Sequence, residues 1–195
     1  MRSAPELAAG VAGLPSTTSA FAATQAAWRF HANDRVTSPA LVEPLRAAGR
    51  RRLDASKSPF ALLVHDWSEL SFDHPKGKRD LVQLTHKTDV GYEATAALLV
   101  SAEDGSPSAP MEVHLKTAAG VLGARRRAPK DLAHLEQVLP TMKASRTWGL
   151  SKPLVHVIDR EADSVDHYPW WHAAGFRFTI RGDDRSVRRR GSPIS

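Results

Sequence analysis

The sequence predicts an α/β protein in which a mixed sheet follows a small helical region. Three observations lead there. Two short apolar runs, FALLVHDW and PLVHVIDREAD, each deliver an aspartate at their end. Between them a hairpin pattern is followed by apolar residues at helical spacing. Before about position 59 no strand-type alternation occurs, so residues 1–58 form a helical region and residues 59–195 the sheet-bearing core.

Within the first region, TSAFAATQAAWRF sets Phe21, Gln25, Trp28 and Phe30 among good helix formers, which predicts a helix with an aromatic edge. SPALVEPLRAAGRRR predicts a second helix, with Ser38 as N-cap, Pro39 in the first turn, Leu41, Val42 and Leu45 as its apolar face, Pro44 disturbing it and Gly49 ending it. Arg50, Arg51 and Arg52 close this region. They suit a helix end, where cations complement the macrodipole, and equally a patch that contacts phosphates.

The core begins with a buried strand that stops at Asp66. Glu93 to Ala102 and Met111 to Thr117 read as a hairpin around the loop DGSPSAP, with Met111, Val113 and Leu115 on one face. Leu132, Leu135, Leu139 and Met142 then repeat at helical spacing from Asp131 towards Gly149, with Pro140 predicting a kink or break. Leu154, Val155, Val157 and Ile158 run into Asp159. A helix from about Ala162 to Ala174 carries Trp170 and Trp171, and FRFTIRGDD alternates Phe176, Phe178 and Ile180 on one face. This order matches a ribonuclease-H-like core, three antiparallel strands extended by two parallel ones.

The length of 195 residues, with 42% hydrophobic residues and no cysteine, suits a globular domain. It excludes a disulfide-built mini-protein, a collagen-like fibre, thiol nucleophiles and zinc–thiolate sites. The formal net charge of +6, from 27 Lys and Arg against 21 Asp and Glu, makes an anionic partner such as nucleic acid a reasonable expectation. No run approaches the roughly 18 apolar residues of a membrane span. MRSAPELAAGVAGLP imitates a signal peptide, but its apolar part, Leu7 to Leu14, is mostly Ala and Gly and is flanked by Glu6 and Pro15. A cytoplasmic protein is expected.

Asp66 and Asp159 stand 93 positions apart. A carboxylate beside a buried strand is costly unless it is paired, hydrogen-bonded or bound to a cation. If the two strands are neighbours, both carboxylates leave the same edge and can share divalent ions, the arrangement that two-metal phosphoryl transfer uses. Oxygen ligands without thiolate select Mg²⁺ or Mn²⁺. Taken singly, a strand-end aspartate is equally a loop cap. Alternation turns His65 and His156 away from the aspartates towards a core, and His167, Tyr168, Trp170 and Trp171 read as helix aromatics packing inward, with stacking on a displaced base as the alternative. Glu161 and Asp163 fit either supporting roles or salt bridges, and Arg125 to Arg127 and Arg188 to Arg190 fit solvated loops.

AAWRFHANDRV, LLVHDWSELSF and VIDREADSVDHY, followed by FRFTIRGDDR, resemble the DDE transposases of the insertion sequence 4 family, over about Ala23 to Arg185. The resemblance implies a ribonuclease-H-like fold, Asp66 and Asp159 as the first two metal-binding carboxylates, and Arg181 as a DNA-contacting arginine. It implies Mg²⁺ or Mn²⁺ as cofactor, double-stranded DNA as partner, both transposon ends and target, and a homodimer in a synaptic complex. The family's third catalytic residue is a Glu within Tyr-x2-Arg-x3-Glu-x6-Lys. No such pattern occurs in the 36 residues after Asp159, so an incomplete transposase with impaired transposition is expected. Two alternatives remain: a non-catalytic, inhibitory DNA-binding remnant, and an unrelated two-metal nuclease with a third acid such as Glu69 or Glu93.

Overall fold

A computed structural model describes residues 18–72, 79–86, 88–125, 134–159 and 166–181. Helices α1 (Thr18–His31) and α2 (Ser38–Ala55) precede strands β1 (Ala61–Ser71), β2 (Val82–Gln83), β3 (Val90–Val100), β4 (Pro107–Thr117) and β5 (Gly120–Gly123). Helix α3 (His134–Ser145), strand β6 (Leu154–Ile158), helix α4 (Tyr168–Ala173) and strand β7 (Arg177–Ile180) complete the order. The protein is thus α/β with a mixed seven-stranded sheet, ordered β5-β4-β3-β1-β6-β7 with β2 beside β3. Strand β1 runs antiparallel to β3, β3 to β4 and β4 to β5, whereas β6 runs parallel to β1 and β7 parallel to β6.

Helix α2 departs from its sequence reading at both ends. Thr37, not Ser38, is the N-cap, its hydroxyl accepting from the Ala40 N–H at 3.4 Å. Gly49 does not end the helix, which continues to Ala55. Its role is close approach: a Cβ there would lie 3.0 Å from Ala109 Cβ and 3.1 Å from Met111 Sδ, so glycine lets α2 cross the sheet at short range. Leu53 of α2 joins Ala61, Leu63, Leu99, Met111 and Trp148 in one buried cluster, so residues 38–55 share the core of the sheet. A second cluster beneath α3 and α4 gathers Val138, Met142, Ile158, Trp171 and Phe176.

Three further differences have tertiary causes. Strand β1 does not stop at Asp66 but runs to Ser71, because β3 pairs with it as far as Ser71↔Gly91. Helix α3 is continuous through Pro140. Met111 does not share a face with Val113 and Leu115. The β3–β4 register passes from Ala97↔Glu112 to Leu98↔Pro110, leaving Met111 as the extra residue of a bulge. Met111 and Glu112 are consequently both buried, while Val113 is exposed. Strands β2 and β5 were not anticipated, being only two and four residues long. Leu132, Asp131, the expected helix start at Ala162, and Glu161 and Asp163 lie outside the described residues.

Candidate functional site

Strands β1, β6 and β7 run side by side in one direction. His65 pairs with Ile158 and Ile158 with Ile180. One residue further along each strand stand Asp66, Asp159 and Arg181, all three exposed. The Arg181 N–H donates to the Ile158 carbonyl at 3.2 Å, which carries the β6–β7 ladder up to this row. Neighbouring strands lie about 4.8 Å apart. Two carboxylates and a guanidinium separated by 93 and 22 positions in the chain thus occupy adjacent strands at one level.

The row forms because β6 ends there. Below it β1 is flanked by β3 and β6, and its side chains alternate between a buried face, with Ala61, Leu63 and His65, and a half-exposed face, with Leu62 and Val64. Asp66 falls on the second face, at the level where β6 stops, so its carboxylate meets solvent. The Ser68 hydroxyl donates to Asp66 Oδ2 at 3.3 Å, within the same strand face.

Glu69 and Glu93 face each other across β1 and β3, and by alternation they share the face of His65 rather than that of Asp66. Glu69 also stands about 10 Å along the strand from Asp66 at ordinary strand rise, accepting from the Thr85 hydroxyl at 2.9 Å. The two suggested third acids are therefore not brought to the aspartate row. Among the described residues, no group of three or more His, Cys, Asp or Glu has the geometry of a metal site.

Beneath the row, His65 and His156 are buried and share a hydrogen bond, Nε2 to Nδ1, of 2.9 Å. Burial, and then the neighbouring His156, pushes the His65 pKa down to about 3. Burial, and then the charge of Arg146, pushes His156 down to about 4. Both rings are accordingly neutral near pH 7, one donating and the other accepting, as the core reading of these histidines anticipated.

The sequence did not anticipate a buried polar group next to them. Glu112 hydrogen-bonds His114 and pairs with Arg125, whose Nη2 donates to the Thr141 hydroxyl at 2.7 Å. A hydrophobic alternation of Met111, Val113 and Leu115 conceals this group, and only the bulge at Met111 turns Glu112 inward. The signal available was a Glu–x–His–x–Lys series in a strand whose other face is apolar.

The three arginines of the triplet have different surroundings. Arg50 turns to the protein, donating to the Trp148 carbonyl at 3.0 Å and to Glu43 at 2.7 Å. Arg52 donates to the Pro107 carbonyl at 3.2 Å, and Arg51 is exposed. All three sit on α2, which packs on the helix-covered face of the sheet, away from the aspartate row. Of the paired tryptophans, Trp171 is fully buried and Trp170 is 70% exposed, so the inward-packing expectation holds for one of the two. The side chain of Phe21, Arg126 and Arg127, and Arg188 to Arg190 lie outside the described residues.

No family model matches the chain, and no curated protein matches it. Among the described residues, no helix is long and apolar enough to cross a membrane.

Proposed function

We propose that the chain is a transposase of the DDE type, related to the insertion sequence 4 family, built on a ribonuclease-H-like core and acting on double-stranded DNA. The observation that carries this reading is the row of Asp66, Asp159 and Arg181 on three adjacent parallel strands. The sheet order supports the core assignment, since β3 runs antiparallel to both β4 and β1, and β6 and β7 extend β1 in parallel. The segments AAWRFHAND and DREAD support the family.

The donor set fits a hard dication. Mg²⁺ characteristically binds through one or two carboxylates and keeps its remaining positions for water and phosphate oxygens. Two solvent-facing carboxylates on neighbouring strands, with no thiolate, offer that chemistry. Asp66 and Asp159 would hold Mg²⁺ or Mn²⁺, which supplies charge stabilisation at a phosphate and a more acidic water or 3′-hydroxyl. The β1 and β6 backbones hold the two carboxylates at a fixed separation, so little reorganisation is needed when phosphate arrives. Arg181 presents a permanent cation at the same edge, suited to a second phosphate oxygen or a flanking phosphate. The full reaction of that family is phosphodiester hydrolysis at an element end followed by attack of the freed 3′-hydroxyl on target DNA, and this chain, with no Tyr-x2-Arg-x3-Glu-x6-Lys pattern after Asp159, is expected to perform it weakly.

The test is nicking of duplex DNA by the purified chain in Mg²⁺ or Mn²⁺. Asp66→Asn and Asp159→Asn are each expected to reduce nicking to the level seen with chelator, while DNA binding persists. Robust nicking that both substitutions leave intact would overturn the assignment. A second reading, DNA binding without cleavage, is favoured by one observation: Glu69 and Glu93 project from the face opposite Asp66. Salt-sensitive gel shifts with no metal-dependent nicking would select it.

A further inference from the structure

Between α2, the start of the chain after β5, and the segment that follows α3 lies a cleft of about 710 Å³. Three guanidiniums converge on it from distant parts of the sequence, Arg46 and Arg50 from α2 and Arg125 from beyond β5. Their side chains are only 13%, 30% and 22% exposed, so these are not ordinary solvated surface arginines.

Each guanidinium is held from behind. Arg46 donates through Nε to the Met111 carbonyl at 2.6 Å and lies over the Trp148 ring, 5.1 Å from its centre. Arg50 is fixed by the Trp148 carbonyl and Glu43, and Arg125 by Glu112 and Thr141. Three guanidiniums carry about fifteen N–H donors, and these contacts occupy only part of that set. Two carboxylates accompany three cations, and one of the two, Glu112, is fully buried behind Arg125 while the other, Glu43, stands exposed at the rim. One positive charge is in excess in a half-enclosed space. Burial lowers the Arg46 pKa, opposed by the carboxylates of Glu112 and Glu43 and to a smaller extent reinforced by the like charges of Arg50 and Arg125.

We infer that this cleft is a phosphoryl-group site, in which Arg46, Arg50 and Arg125 donate to phosphate oxygens. The planar forks of arginine match phosphate geometry, and pre-anchored side chains lose little freedom on binding. The site is distinct from the aspartate row, because α2 and α3 pack on the face of the sheet opposite Asp66. It also separates Arg50 from Arg51 and Arg52, and it stands whether or not the chain cleaves DNA. The phosphoryl group can belong to a free phosphate compound or to a nucleic-acid backbone.

The full-length chain is titrated calorimetrically with inorganic phosphate and pyrophosphate, and by fluorescence anisotropy with a labelled DNA duplex. Saturable binding of at least one probe is expected. Arg50→Gln should weaken it about tenfold, by loss of a charge-assisted pair, and Arg50→Lys should recover only part of this, having no fork. Glu43→Gln should tighten it, because the competing carboxylate is removed; this gain cannot come from misfolding. Lys143→Gln, an equal loss of charge in a separate recess beside Trp170, should leave binding unchanged. A response of pyrophosphate to these variants identifies free phosphate compounds, and a response of duplex alone identifies backbone phosphate. Absence of saturable binding by every probe overturns the inference. So do equal losses from Arg50→Gln and Lys143→Gln, or indifference to both Arg50→Gln and Glu43→Gln. Asp66→Asn, which removes a carboxylate on the other face, separates failure here from failure of the transposase reading.

Discussion

Replacing the buried His65–His156 pair by leucines, as His65→Leu with His156→Leu, should make the protein resistant to mild acid. An unfolded imidazole takes up a proton near pH 6.5, whereas His65 and His156 resist protonation down to about 3 and about 4. The unfolded state therefore binds more protons than the folded state below pH 6.5, and folding stability falls as pH falls, until the folded pKa values are reached. Each histidine contributes about 1.4 kcal/mol of loss per pH unit in that window. The pair thus costs about 3 kcal/mol at pH 5.5 and about 5 kcal/mol at pH 4.5, a large part of the roughly 5–15 kcal/mol that a domain commonly holds. Exchanging both partners of the 2.9 Å hydrogen bond for apolar side chains is nearly neutral at pH 7.5, because no buried polar atom is left unpaired. Urea unfolding at pH 7.5, 5.5 and 4.5 measures the effect. The parent should lose stability over this range and the double variant should lose about 5 kcal/mol less. Parallel loss in both proteins, with unchanged m-values, would refute the reasoning.

Two other substitutions test the packing. A Cβ at Gly91 would collide with the backbone carbonyl of Leu70 in the neighbouring strand, so Gly91→Ala should lower the urea midpoint by the equivalent of about 3 kcal/mol; an unchanged midpoint would contradict the β1–β3 register. Pro140 interrupts the hydrogen-bond ladder within α3, so Pro140→Ala should stabilise by about 1–3 kcal/mol in thermal unfolding, and a lower Tm would contradict the continuous helix.

Much of the architecture was legible because its signals are local. The apolar runs before Asp66 and Asp159 place β1 and β6, and alternation at Phe176, Phe178 and Ile180 places β7, since a strand buried on one face repeats every two residues. The inward direction of His65 and His156 follows from the same period. Misreadings came where a residue type has two uses. Gly49 looked like a helix stop but serves as a crossing point, and Pro140 looked like a break but is absorbed in a helix packed on the core. A charged residue looked like the end of β1, yet β3 supplies pairing well beyond it.

From its own residues the chain settles that the segments of β1, β3, β4, β6 and β7 become strands and that two aspartates sit at comparable points on two of them. Long-range pairing decides the rest: that β6 lies beside β1 with His65 against Ile158, that β7 brings Arg181 to the same level, and that a bulge at Met111 buries Glu112 and His114. Periodicity carries no information about register between strands, and a one-residue slip exchanges the two faces. The joint position of Asp66, Asp159 and Arg181, and the convergence of Arg46, Arg50 and Arg125, are properties of pairing and packing and not of any one segment.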